Sequence, residues 1–260
     1  MNIIVLSALV IGLIGIGIAL VLNFAGDKFY VEGNEKAEKI RELLPGNNCG
    51  GCGFAGCDAL AEAIAEGNAP VNACPMCVNV DKIGEICGMK TAKTEKKIAF
   101  VACRGTCDKA EQKGIYFGAM DCVAAKSVQQ NGGKSCQYGC MGLGSCISAC
   151  QFGALSLEDG VAVVDKGNCT GCGQCVKVCP NHLISLQPFS SVLVACSSRD
   201  KGISVKNACK AGCLSCGLCA KNCPEQAIEM KNNLPVIDKQ KCTKCGTCVE
   251  KCPVKVITME

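Results

Sequence analysis

The chain has 260 residues, 27 of them cysteine and none tryptophan, and a net charge of +4. So mild a positive balance excludes a nucleic-acid partner, whose footprint is a dense basic patch, and the scarcity of aromatic residues excludes one large aromatic core. Cysteine at about 10% marks a disulfide scaffold only in short secreted chains. Here the thiols must stay reduced to hold what their spacing suggests, which places them in a reducing compartment.

In chain order, Ile3 to Leu22 is an uncharged run of twenty residues. That is the length of one bilayer-spanning helix. A cleaved signal peptide is the competing reading, but no basic stretch precedes Ile3, the run is too long for such a leader, and no small-x-small site follows. Residues 1–25 are therefore expected to form an uncleaved anchor. Lys28 and the later lysines lie on its C-terminal side, so the positive-inside rule places the bulk of a single-pass chain in the cytoplasm, at the cytoplasmic (inner) membrane. Ala8, Gly12, Gly15 and Ala19 form a stripe of small residues along which another membrane helix could approach.

Residues 26–90 read as a small cluster-binding module. Glu35 to Leu44 suits a short amphipathic helix stopped by Pro45. Cys49, Cys52 and Cys57 follow in a glycine-rich turn, with a fourth thiol at Cys74. Glycines let backbone fold closely around an inorganic cube and aim amides at its sulfurs. Asp58 to Glu66 reads as an alanine-rich helix ended by Gly67 and Pro70. Four thiolates at this spacing suit one [4Fe–4S] cluster, with a zinc site as the alternative. Cys77 and Cys87 have no assignment. The basic run Lys90 to Lys97 reads as a solvated linker.

The rest of the chain is a duplication. Residues 136–179 align on 209–252 without a gap at an offset of 73, so that Cys136, Cys140, Cys146, Cys150, Cys169, Cys172, Cys175 and Cys179 fall on Cys209, Cys213, Cys219, Cys223, Cys242, Cys245, Cys248 and Cys252, with Cys172 on Cys245. Upstream, Ile98–Cys103 repeats as Ser191–Cys196, each a short buried strand by its apolar, β-branched content. Two dicluster domains are expected, at 98–187 and 191–260, the first with an insertion that holds Cys122. In each complete motif, three cysteines at n, n+3 and n+6 serve one cube and the fourth, before proline, serves the other. The second copy is complete, with Cys213, Cys216, Cys219 and Cys223-Pro224, then Cys242, Cys245, Cys248 and Cys252-Pro253.

The first copy has Leu143 where the second has Cys216, and Gln151 replaces the proline after Cys150. Cys136 is expected to supply the missing ligand, giving Cys136, Cys140, Cys146 and Cys179; a three-iron cluster or an exchangeable ligand is the alternative. Counting ligands gives five [4Fe–4S] clusters, with a sixth available if Cys103, Cys107 and Cys122 join a fourth thiol. Cys196 and Cys209 are left over.

No Gly-x-Gly-x-x-Gly turn, Walker loop or Ser/His/Asp set occurs, and the single histidine, His182, reads as a residue outside any ligand set. The expected architecture is α+β: a transmembrane helix, a small [4Fe–4S] module and two tandem ferredoxin-like dicluster domains. The anchor, the glycine-rich Cys49–Cys74 module and the segments FVACRGTCDKA and GGKSCQYGCMGLGSC together resemble the B subunit of the Rnf complex, in the extended form of anaerobic bacteria. That resemblance implies an electron-transfer subunit of a ferredoxin:NAD+ oxidoreductase that pumps Na+ or H+. It implies soluble ferredoxin as donor, and membrane and NAD/flavin subunits as partners. A membrane-tethered polyferredoxin serving a hydrogenase or dehydrogenase without pumping is the alternative. Lys239, Lys241, Lys244, Lys251 and Lys255 crowd the last motif and suit docking of an acidic donor, with an ordinary solvated face as the alternative.

Overall fold

The computed structural model describes residues 2–28, 34–89, 96–129 and 131–259, with side chains of the first helix described at Leu9 and from Ile11 to Ala25. The basic run read as a linker lies outside the described residues except for Lys96 and Lys97. Helix α1 (Asn2–Lys28) is continuous over 27 residues, about 40 Å at 1.5 Å per residue. Its described apolar side chains are exposed, among them Ile11, Leu13, Val21 and Phe24. Gly12 and Gly15 meet nothing within 4 Å, so no described part of this chain packs on the small-residue stripe there. Among the described residues no helix is long and apolar enough to cross a membrane; the crossing expected for residues 3–22 rests on the sequence, which includes side chains outside that description.

Three short helices form the module. Asn34 caps α2 (Glu35–Leu43) by accepting the amide of Lys36 at 3.1 Å, one of the donors a helix start leaves unsatisfied. The helix ends before Pro45, as its ring demands. Helix α3 (Cys57–Ala65) crosses α2 and is tied to it by Arg41 Nε to Asp58 Oδ1 at 2.6 Å. Helix α4 (Val80–Cys87), which is not among the expected elements although its pattern is amphipathic, ends at Gly88 in the left-handed conformation. Ile40, Leu60, Ile64 and Ile83 are almost fully buried between the three.

The duplicated part is built from antiparallel strand pairs. β1 (Lys97–Val101) pairs with β4 (Ile184–Pro188), and β2 (Leu155–Glu158) with β3 (Val161–Val164). β5 (Val192–Val194) pairs with β8 (Ile257–Met259), and β6 (Ile228–Lys231) with β7 (Leu234–Ile237). Each copy packs its own apolar cluster, around Ile98, Leu155 and Ile184 in one and Val192, Ile228 and Ile257 in the other. Phe100, Leu193 and Ala195 join the copies through β1 and β5.

Four one-turn helices carry the cluster motifs: α6 (Ser145–Ser148), α7 (Gln174–Val178), α9 (Leu218–Lys221) and α10 (Thr247–Lys251). Each is preceded by a left-handed glycine, at Gly144, Gly173, Gly217 and Gly246, and each buries a cysteine as its second residue. Two residues before each glycine the backbone is left-handed again, at Gly142, Gly171, Ser215 and Lys244. The loop that lacks a cysteine at 143 therefore has the same backbone as the three complete ones. Helix α5 (Cys122–Gln129), in the insertion, and α8 (Gly202–Ala208) complete the described elements.

Candidate iron–sulfur sites

All 27 cysteines are free thiols in the structure. Among the described residues no three Cys, His, Asp or Glu side chains converge as ligands of a single metal ion. Sixteen of the thiols instead line four small cavities, which is what a cube of alternating iron and sulfur needs and a tetrahedral zinc ion does not.

In the first repeat, Cys150, Cys169, Cys172 and Cys175 line one cavity, the set that the spacing predicts. A second cavity is lined by Cys122, Cys140, Cys146 and Cys179. Cys136, expected to stand in for the cysteine missing at Leu143, does not line it; Cys122 does. The reason lies in the insertion. Asp121 caps α5, accepting the Ala124 amide at 2.7 Å through one carboxylate oxygen and the Ser145 hydroxyl at 3.0 Å through the other. Ser145 Oγ in turn accepts the Cys122 amide at 2.7 Å. These bonds hold the Asp121 carboxyl below its ordinary range, first through Ala124 and then Ser145. Lys126 closes the other side, donating to Asn181 Oδ1 at 2.6 Å, beside Cys179 and Pro180. The start of α5 is thereby pinned to the start of α6, and Cys122 faces Cys146.

Cys136 lines a different cavity with Cys103, Cys196 and Cys209. This set takes two thiols from each repeat, and they correspond: Cys136 falls on Cys209 at the offset of 73, and Cys103 and Cys196 end the two repeated strands. The amide hydrogen bonds repeat as well. Cys103 Sγ accepts from Gly105 N at 3.4 Å and Cys140 N at 3.3 Å; Cys196 Sγ accepts from Ser198 N at 3.5 Å and Cys213 N at 3.3 Å. The sixth set expected from Cys103, Cys107 and Cys122 does not assemble, because those three thiols separate: Cys107 is exposed and lines neither cavity.

In the second repeat, Cys223, Cys242, Cys245 and Cys248 line a cavity. Cys213 lies close enough to sense the charges of Cys219 and Cys252, and Cys219 those of Cys216 and Cys252. Sγ of Cys179, Cys223 and Cys252 each accept a backbone amide four residues ahead, at 3.3–3.4 Å. In the module, Cys57 and Cys74 are buried and Cys49 and Cys52 half-buried. Asn48, itself left-handed, accepts the Cys57 amide at 2.7 Å and sets the turn. Cys77 lies beside this group, close enough to sense Cys57, and its thiol donates to the Leu43 carbonyl at 3.7 Å.

Burial pushes Cys136, Cys175 and Cys213 up to about 11 and Cys146 up to about 12, and neighbouring thiols push the same way. Such thiols ionise only if positive charge is brought to them, which bound iron supplies. The donor set, its amide hydrogen bonds and its cavities therefore fit [4Fe–4S] clusters.

Comparison with known proteins agrees. A family of putative Fe-S cluster domains matches residues 44–76, the 4Fe-4S binding domain matches 162–185, and the 4Fe-4S dicluster domain matches 212–256. The B subunit of the proton-translocating ferredoxin:NAD(+) oxidoreductase complex of Clostridium ljungdahlii is 41% identical, over 92% of this chain and 86% of its own length. The corresponding chain of the Na(+)-translocating complex of Acetobacterium woodii is 40% identical over 93% and 73%. The B subunit of an ion-translocating oxidoreductase complex of Methanosarcina acetivorans is 42% identical over 92% of each chain.

Proposed function

Since the chain belongs to the B-subunit family of ion-translocating ferredoxin:NAD+ oxidoreductase (Rnf) complexes, we propose that it is the six-cluster relay of such a complex, anchored by one membrane crossing at residues 3–22. As a subunit of this redox-driven translocase, it is an electron-transfer chain that carries [4Fe–4S] domains. Bound cubes would supply one-electron chemistry; the protein's part is to place six thiol sets in a row.

The observation that carries this reading is an unbroken series of contacts between successive sets. Gly51 of the module lies against the backbone of Cys172, so closely that a Cβ on it would come within 2.5 Å of the Cys172 carbonyl oxygen. Gln174, beside Cys175, donates to the Cys49 carbonyl. Cys146 on α6 and Cys175 on α7, at the hearts of the two first-repeat sets, lie in one packed cluster. The Cys140 amide reaches Cys103 Sγ, and the Cys213 amide reaches Cys196 Sγ, so the bridging set touches one set from each repeat. Cys219 on α9 and Cys248 on α10 lie in one packed cluster and link the last two sets. The relay then runs from the Cys245 set through Cys216, the bridging set, Cys122 and Cys172 to the module.

Exposure gives this series a direction. Cys216 and Cys245 are exposed, whereas Cys172, the counterpart of Cys245, is covered by the module. Soluble ferredoxin is therefore the donor at the second repeat. Lys241, Lys244 and Lys251 are exposed there, while Lys239 donates to Gln187 and Lys255 to the Glu250 carbonyl. The module follows α1 closely in the chain and delivers electrons to membrane partners. Nicotinamide and flavin chemistry and translocation of Na+ or H+ belong to those partners. Family membership favours this reading over a free-standing polyferredoxin.

Iron and acid-labile sulfide analysis of anaerobically reconstituted protein should return about twenty-four of each, four per set; about twenty or fewer would remove the six-cluster reading. Deleting residues 1–25 should release soluble protein with the same iron content, and protein that remains in the membrane would exclude the single anchor.

A further inference from the structure

Lys134 is the one lysine buried among the described residues, with 5% of its surface exposed. Its ammonium donates to the carbonyls of Gly105 and Gly160, both at 2.8 Å. Among the described residues no carboxylate forms an ion pair with it. A buried cation with only neutral acceptors is costly unless negative charge stands nearby. Lys134 lines the bridging cavity together with Cys103, Cys136, Cys196 and Cys209. It does not line the neighbouring cavity around Cys122, Cys140, Cys146 and Cys179, so its charge sits nearest the bridging set.

The fold holds this group in place by several independent contacts. The Lys134 backbone bridges to Gln112, and the next amide, of Ser135, donates to the Glu111 carbonyl at 2.7 Å. Gly105 and Gly160 cannot easily be anything else. A Cβ on Gly105 would lie 3.3 Å from Cys209 Sγ, and one on Gly160, where φ is +76°, 2.6 Å from Cys107 Sγ. The second repeat has no counterpart: at the same offset, Lys134 pairs with Asn207, which is exposed. The asymmetry puts one buried positive charge on the first-repeat side of the four-thiol set; Arg104 also lines the cavity, but it is exposed and its guanidinium donates to the Lys255 carbonyl.

We propose that Lys134 is a potential-setting residue, a buried cation that makes the cluster bound by Cys103, Cys136, Cys196 and Cys209 easier to reduce than its neighbours. Each one-electron reduction adds one negative charge to the cluster, and cluster potential follows local charge, hydrogen bonding and exposure. Electrons arriving from the second repeat thus fall to the junction of the two repeats before moving on to the Cys122 set. This inference rests on the six-cluster reading above, specifically on a cluster at the bridging set.

The test is a potentiometric titration followed by electron paramagnetic resonance on the full-length, cluster-loaded chain, with iron content measured on every sample. The bridging signal is identified as the one lost in Cys136→Ser together with about four irons. In the wild type it should be the first to appear on reduction. Lys134→Met should keep the iron content and move that signal's midpoint to lower potential, by about tenfold in the one-electron equilibrium, ~59 mV. Lys134→Arg, which keeps the charge, should restore it. An unmoved midpoint in Lys134→Met at full iron content would overturn the proposal while leaving the bridging cluster standing. Loss of the bridging iron in Lys134→Met would overturn it in favour of a purely structural role. If Cys136→Ser keeps all its iron, the bridging cluster itself is wrong.

Discussion

In the second repeat the motif spacing from Cys213 to Cys252 is complete, Cys223, Cys242, Cys245 and Cys248 line one cavity, and the outer thiols Cys216 and Cys245 are exposed. In the first, Leu143 stands where Cys216 would be, the insertion brings Cys122 to the gap, and the module covers Cys172. The backbone of the two loops is nonetheless the same, with left-handed residues at Gly142 and Ser215 and at Gly144 and Gly217. The copies thus differ in which side chain fills a preserved position and in what covers it. One copy keeps an open face suited to a soluble donor; the other turns the same face inward to the next site.

Substitution of Cys122 should break that comparison most sharply. Cys122→Ser should cost about four irons, because no other thiol lines that cavity besides Cys140, Cys146 and Cys179. Adding Leu143→Cys in the same protein should return them, since the loop already has the backbone of its complete counterparts. Failure of the second change to rescue would show that the insertion helix, and not the vacancy at 143, defines the site.

The module junction comes next. Gly51→Ala would force a Cβ to 2.5 Å from the Cys172 carbonyl oxygen, a backbone atom with little room to give. Overpacking of this kind costs roughly 1–3 kcal/mol, and the module can escape it by lifting off the first repeat. Iron content should stay unchanged while stopped-flow reduction of the module's cluster slows relative to the others. Equal rates in both proteins would place the link between module and repeat somewhere else.

Electron input should respond more modestly. Reversing Lys241, Lys244 and Lys251 to glutamate should slow reduction by an acidic ferredoxin by about tenfold at low salt. It should also flatten the salt dependence, because exposed charges are screened beyond about 8–10 Å at physiological ionic strength. An unaltered rate would mean that the donor docks elsewhere, whatever the exposure of Cys216 and Cys245.

Much of this arrangement can be read from the residues. The Cys-x2-Cys-x2-Cys-x3-Cys spacings, the offset of 73 and the glycine-rich Cys49–Cys74 turn each encode local geometry, and the short helices and hairpins follow them. Helices α2 and α3 fall within about a residue of their expected ends because Pro45 and Gly67 are local stop signals, whereas α4 is not among the expected elements. What escapes such reading is tertiary. Cys122 reaches its set through the Asp121–Ser145 and Lys126–Asn181 hydrogen bonds, which join segments far apart in the chain. The bridging set escapes because half of it belongs to each repeat, so neither copy shows a motif. A signal is present all the same: Cys103 with Cys196 and Cys136 with Cys209 are repeated cysteines that no motif within one copy requires.

Cys107 gives the smallest expected effect and the sharpest control on that last point. It stands between Cys103 and the insertion, and its position in the chain makes it a candidate ligand as good as its neighbour. The structure separates the two by what they face. Cys103 Sγ receives two backbone amides and lines the bridging cavity, whereas Cys107 is exposed and its Sγ lies against Gly160. Its backbone is held independently, the Cys107 amide donating to the Asp159 carbonyl at 2.8 Å. Cys107→Ser should therefore leave iron, sulfide and the paramagnetic spectrum unchanged and shift stability by no more than about 0.5 kcal/mol. Cys103→Ser, four residues away, should remove about four irons. Loss of iron in both would mean that the two thiols share a site, and the symmetric pairing of Cys103 with Cys196 would have to be abandoned.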